Sequence, residues 1–236
     1  IYYQILPACL IKGGMSMIID AHVHIGHDIV FDETLTPEFV LEHANRYGID
    51  LSIVQPLVPR PHIEETRLAH NQVHQLIQDY PDKFVGMASI NPHFRPEVYE
   101  SELKRCVKDL GFAGVKITPI GHAVHPSGSS AMIVYEMCRE LKIPVMIHTG
   151  SGAPFAEPLA MLKAAQTFKD VTFIMAHAGT DSYFHQALYV ARQCENVFME
   201  PSWLNVISLG EAIQTLGPSR IMFSSDMPQN IPVELA

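Results

Sequence analysis

The sequence predicts an α/β fold, a single (β/α)8 TIM barrel. Three observations point there. Short apolar runs alternate with helical patterns along almost the whole chain. The length, 236 residues, suits one barrel domain. No G-x-G-x-x-G follows the first apolar run, so a doubly wound dinucleotide fold lacks its main support.

The elements follow in order. Met17–Ala21 is the first strand, an uninterrupted apolar run of the kind a parallel sheet buries on both faces. Pro37–Tyr47 is a helix, with Thr36 as N-cap, Pro37 at the first position and Gly48 as the stop. Ile49–Gln55 is strand two, and Glu64–Tyr80 a helix with Leu68, Val73, Leu76 and Ile77 on its apolar face. Lys83–Ile90 is strand three, then a helix over Pro96–Leu110 that Gly111 ends. Phe112–Thr118 and Pro144–Ile147 are strands four and five, with a helix over Ser130–Leu141 between them. Helices over Glu157–Phe168, Asp181–Cys194 and Asn205–Leu216 separate Val171–Ala176, Val197–Glu200 and Arg220–Ser224, which are strands six to eight.

The two ends differ from this pattern. Residues 1–16 read as an extension ahead of a domain over 17–236, with Met15 or Met17 as the expected beginning. No helical pattern follows strand eight before Ala236. The eighth helix is therefore expected to be lacking, or that barrel face to be covered by a partner such as a second copy in a homo-oligomer.

Composition narrows the function. Sixteen Lys and Arg stand against 25 Asp and Glu, a net charge of -9, so nucleic acid is not an expected partner. No apolar run is long enough to span a bilayer, so no membrane partner is expected. Cys9, Cys106, Cys138 and Cys194 have no C-x-x-C spacing and read as buried thiols in a reducing, cytoplasmic setting. Thirteen histidines favour metal or acid–base chemistry on a small molecule.

Polar residues at the C-terminal ends of barrel strands are the functional candidates. Strand one ends in Asp20-Ala21-His22-Val23-His24, and alternation points Asp20, His22 and His24 into one mouth. Strand five ends at His148, strand six at His177 and strand eight at Asp226. Imidazoles with a carboxylate suit Zn(II) first, with Mn(II) or Fe(II) as other choices. Lys116 lies in strand four. Arg60, Arg95, His122 and Trp203 lie in loops near the same mouth, where an arginine could clamp a carboxylate and the indole could stack on a planar substrate. His70 and His74 are spaced i, i+4 without the H-E-x-x-H pattern and fall on the outer ring, away from the mouth.

These residues, over about Met17 to Pro228, resemble the amidohydrolase superfamily, and more narrowly the amidohydrolase-related branch that includes aminocarboxymuconate-semialdehyde decarboxylase. The resemblance implies that His22, His24, His148 and Asp226 bind the metal. It implies that His177 contacts substrate, holds a second metal or acts with Asp226 in acid–base catalysis. It also raises a carboxylated Lys116 bridging two metals, although one metal is favoured. The first expectation is a hydrolase that uses a metal-activated water on a small amide, ester or lactone. The second is a nonoxidative decarboxylase of an unsaturated or aromatic carboxylic acid. A non-catalytic binding barrel is the third.

Overall fold

The computed structural model describes residues 9–12, 15–28, 32–57 and 61–227, with side chains from residue 17 onward. Its sheet is built from β2 (Met15–Asp28), β4 (Leu51–Pro56), β5 (Phe84–Ser89), β6 (Gly114–Ile117), β7 (Val145–His148), β8 (Phe173–Ala176) and β9 (Val197–Met199), neighbours in that order and all parallel. Two short strands, β1 (Cys9–Lys12) and β3 (Glu33–Leu35), pair antiparallel with β2. Part of the stretch expected ahead of the domain thus forms β1, with Leu10 opposite Met17.

Strand eight departs from expectation. Pro218–Arg220 is a 3-10 turn, and the residues beyond it make isolated parallel bridges in place of a ladder. Met222 N–H donates to Met199 of β9 at 2.9 Å, and Phe223 C=O accepts from Ala21 of β2 at 3.0 Å. Residues 221–227 therefore lie between β9 and β2, where the eighth stave belongs. Residues 228–236, where an eighth helix would follow strand eight, lie outside the described residues.

Outside the sheet run α1 (Pro37–Arg46), α2 (Ile63–Asp79), α3 (Pro96–Lys108), α4 (Pro119–His122), α5 (Ser129–Leu141), α6 (Leu162–Thr167), α7 (Thr180–Gln193) and α8 (Val206–Leu216). The Thr36 hydroxyl accepts from Phe39 N–H at 3.2 Å, as an N-cap should, and Val40 and Ala44 carry the buried stripe of α1. On α2 the buried face is Thr66, His70, Val73 and Leu76, while Leu68 is 64% exposed. Placing Leu68 on the core face was wrong, because Thr66 and His70 hold that stripe, and His70 is bonded to Glu102 of α3 and Ser89 of β5.

Strand alternation sorts the core into two layers. Val115, Ile117, Val145, Ile147, Phe173, Met175, Val197 and Met199 pack outward with the helices. Ala21, Ile53, Met87, Met146, Ile174 and Met222 pack together inside the barrel. Continuing the inward series one step further along the strands reaches Gln55, His148 and Glu200 at the mouth, and places Lys116 among the inward residues. The fold thus puts polar groups at the ends of rows whose deeper members are apolar.

Cys106, Cys138 and Cys194 are buried free thiols, and the side chain of Cys9 lies outside the described residues. Among the described residues no helix is long and apolar enough to cross a membrane.

Candidate metal centre

β2 supplies the centre through an irregularity. Its register against β4 slips between Asp20 and Val23, so simple alternation fails there. Asp20, expected at the mouth with the histidines, is instead fully buried and clasps the closing segment. Its carboxyl accepts from Ser225 Oγ at 2.5 Å, Ser225 N–H at 3.0 Å and His22 N–H at 3.1 Å. Burial raises its pKa to about 7, and those hydrogen bonds offset part of the rise.

His22 is the fixed point. Its Nδ1 lies 2.8 Å from Glu200 Oε2, both residues being wholly buried. A carboxylate only accepts, so Nδ1 carries the proton and Nε2 keeps its lone pair. Burial, with Lys116 nearby, pushes the His22 pKa down to about 3, which keeps the ring neutral. A carboxylate behind a histidine fixes ring and tautomer for a metal in front of it. Glu200 also accepts from Ser202 N–H at 2.8 Å, His177 N–H at 3.0 Å and the Ser224 hydroxyl. Burial works to raise its pKa, but the imidazoles and donors around it prevail and hold it well below the usual carboxylate range.

In front of His22 stand His24 and Asp226. Asp226 Oδ1 is 3.4 Å from His22 Nε2 and 3.2 Å from His24 Nε2, and Trp203 Nε1 donates to Oδ2 at 2.7 Å. Burial opposes ionisation of Asp226, yet the three neighbouring imidazoles hold its pKa well below the ordinary range. Lys116 Nζ lies 2.9 Å from His22 Nε2 and 3.3 Å from Met146 Sδ, and burial pushes its pKa down to about 8. His177 bonds Ser202 Oγ through Nδ1 at 2.8 Å and His148 Nδ1 through Nε2 at 3.0 Å. Four successive residues, His177 to Thr180, have positive φ, so the chain makes an unusual turn directly after β8.

The donor set fits a borderline divalent ion. Ligating atoms of His22, His24 and Asp226 all lie within 4.8 Å of one another. Lone pair and carboxylate oxygen face each other across 3.4 Å, which a shared cation would relieve. His24 Nδ1 is buried without a partner, a sign that the structure around it is built for something more.

The structure thus brings His22, His24, His177, His148, Lys116, Trp203 and Asp226 together. The expected ligand His148 stands against His177, outside the His22–His24–Asp226 group. His122 is buried; its Nδ1 accepts from Thr118 N–H at 3.1 Å and its Nε2 has no partner. Arg95 is exposed at the start of α3, and Arg60 lies outside the described residues. Gln55 and Glu200 are not among the candidates that the sequence offers. Each sits at the C-terminal end of an inward row, the criterion that found His148. A second histidine–carboxylate group, His70 with Glu102 and Cys106, is buried where α2 meets α3. The partner of its i, i+4 spacing, His74, bonds the Leu110 carbonyl instead.

A relative from a Sphingobium species, 2-keto-4-carboxy-3-hexenedioate hydratase, is 26% identical over 187 residues, 66% of this chain and 54% of its own length. A 2-amino-3-carboxymuconate-6-semialdehyde decarboxylase from Dictyostelium discoideum is 23% identical over 120 residues, 48% of this chain and 33% of its length. The chain thus spans about half of the first relative and a third of the second. The crystal structure of 5-carboxyvanillate decarboxylase from Novosphingobium aromaticivorans, complexed with manganese and a nitrobenzoic acid, superposes with a TM-score of 0.75 at 16% identity, covering 93% of this chain and 88% of that one. The Amidohydrolase family model matches residues 19–232, from β2 past the closing segment, and the chain belongs to that family.

Proposed function

We propose that this chain is a metal-dependent, nonoxidative decarboxylase of an unsaturated or aromatic carboxylic acid. The observation that carries the reading is the convergence of His22, His24 and ionised Asp226 in front of the Glu200-clamped imidazole. The similar proteins, two decarboxylases and a hydratase of such acids, support lyase chemistry over the hydrolysis ranked first from the sequence.

In this reading His22, His24 and Asp226 hold one metal, with His148 completing the set. The manganese in the similar decarboxylase makes Mn(II) the first choice to test, beside Zn(II) and Fe(II). When bound, such an ion acts as a Lewis acid on a substrate oxygen. Lys116 supplies positive charge for a substrate carboxylate. Decarboxylation breaks a C–C bond, leaves its electron pair on carbon and releases CO2, so the carbon must receive a proton. Asp226 is ionised at rest, so it first accepts a proton from an acidic group of the substrate and then delivers it to that carbon. His177 borders the reacting centre and is oriented by Ser202.

Hydration of a carbon–carbon double bond is a second reading, favoured by the 26% identical hydratase. The test is a panel of hydroxybenzoates, carboxyvanillate and unsaturated dicarboxylates with Mn(II) or Zn(II), read by CO2 release and ultraviolet spectra. Lactones, esters and amides run alongside. CO2 release is expected; turnover of the esters or lactones alone would return the hydrolase to first place.

A further inference from the structure

Trp203 is the single tryptophan of the chain, and packing does not explain where it stands. The residue is 44% exposed, yet its backbone adopts φ of +74°, a region that a bulky side chain rarely enters. Asp226 adopts φ of +49°. One hydrogen bond, Trp203 Nε1 to Asp226 Oδ2 at 2.7 Å, joins these two unusual positions.

The bond divides the carboxylate. Oδ1 faces His24 Nε2 at 3.2 Å and His22 Nε2 at 3.4 Å, while Oδ2 is taken by the indole. His177 Nδ1 is 3.8 Å from Oδ2, too far for a hydrogen bond, and is already engaged by Ser202. The indole N–H has no acceptor role and no second proton, so it can do one thing for a carboxylate. It fixes the plane of the carboxylate and takes one lone pair of Oδ2, leaving the other for a proton.

We infer that Trp203 is a positioning residue for Asp226: its N–H claims Oδ2 so that the carboxylate meets a divalent cation through Oδ1 alone. The inference rests on the reading of Asp226 as a ligand, but not on which reaction follows. A carboxylate free to rotate could offer both oxygens or neither. One held by an N–H keeps Oδ1 turned toward the two imidazoles, ready for a single-oxygen contact.

A lone tryptophan gives one indole N–H signal in a proton–nitrogen correlation spectrum, which makes the bond directly observable in metal-free protein. Asp226→Ala should move that signal to higher field and speed its exchange with water. Trp203→Phe keeps an aromatic ring and removes the donor. It should weaken Mn(II) binding, measured by calorimetry or by the spin-resonance signal of free Mn(II), about 10–100-fold at unchanged circular dichroism. An indole signal indifferent to Asp226→Ala, or a Trp203→Phe protein that binds Mn(II) like wild type, would overturn the inference. Should Trp203→Phe fail to fold, the indole shift on adding Zn(II) to the wild-type chain decides: a shift supports the coupling and its absence sinks it. If wild type binds neither ion, the ligand reading of Asp226 falls and the inference with it. Binding without any decarboxylation would fell only the proposed activity.

Discussion

Two buried histidine–glutamate pairs in this chain look alike and do opposite things. At the barrel mouth His22 Nδ1 lies 2.8 Å from Glu200; between α2 and α3 His70 Nδ1 lies 2.8 Å from Glu102. All four side chains are wholly buried. The difference is what the second ring nitrogen meets. His70 Nε2 accepts Ser89 N–H at 3.0 Å, so the ring is satisfied at both ends. Glu102 is neutralised by Arg67 and Arg105, its pKa lowered to about 2 as their hydrogen bonds and that of His70 override the cost of burial. That pair is a staple binding two helices to the end of β5. His22 Nε2 instead opens toward Asp226, His24 and Lys116. A histidine–carboxylate pair becomes a site when the far nitrogen faces other charged side chains, here Lys116 at 2.9 Å and Asp226 at 3.4 Å, and not a backbone N–H.

Substitutions can break this contrast, and the largest effect belongs at the mouth. Asp226→Ala should lose bound metal by elemental analysis and lower turnover by more than the ~10–100-fold that an outer partner costs. Retained metal would undo the assignment. Glu102→Gln should cost about 3–5 kcal/mol, because it strips the charge from a buried ion-pair network, and so lower Tm by roughly 6–20 °C. Activity per folded molecule should stay within about threefold, and a specific loss of turnover would show that the staple is no mere staple. Glu200→Gln should combine both effects, lower Tm with ~10–100-fold weaker metal binding, since Glu200 joins the clamp on His22 to the closing segment.

A smaller effect is expected from pH. Burial first, then His93 and Lys116, lower the His122 pKa to about 3. The unfolded chain takes up that proton below about 6.5 and the folded chain does not, so stability falls as pH drops from 6.5 toward 3. Between pH 7 and pH 5 the share of this one group is about 2 kcal/mol, or roughly 4–8 °C in Tm. His122→Gln should shrink that drop. Glu102 behaves differently: its stabilisation is present above about 4.5 and is lost as pH falls toward 2. The smallest effect is expected of Arg67→Ala, within about 1 kcal/mol by denaturant titration, because its side chain is 44% exposed.

The barrel was legible because its signals are local. Thr36 and Pro37 start α1, and Gly111 follows α3 with φ of +75°. Strand ends located His148, His177 and Asp226 as well as the H-x-H pair. Asp20 misled, because a register slip in β2 depends on β4 and on Ser225, 205 residues away. Glu200 was missed although it closes an inward row. An acid beside Pro201 reads as an ordinary loop start until His22, 178 residues distant, is folded against it. Leu68 failed for a similar reason, since Arg67, His70 and Glu102 settle the α2 face through a partner on α3. Periodicity records which face is buried by apolar contact and is blind to polar clasps between distant segments.

The closing segment has a consequence of its own. It is joined to its neighbours by only a few backbone bonds, and side chains complete the seam: Ser225 to Asp20, Ser224 to Glu200, Asp226 to Trp203. Each of those three acceptors or donors belongs to the candidate site or lies one residue or two from it. Shutting the cylinder and assembling the reactive centre are therefore a single event. A chain whose last stave has swung out holds no complete ligand set, and any ligand gripping Asp226 acts as a latch that favours the shut form by mass action. Amide exchange over residues 221–227 should slow when the centre is loaded, making the seam a gauge of occupancy.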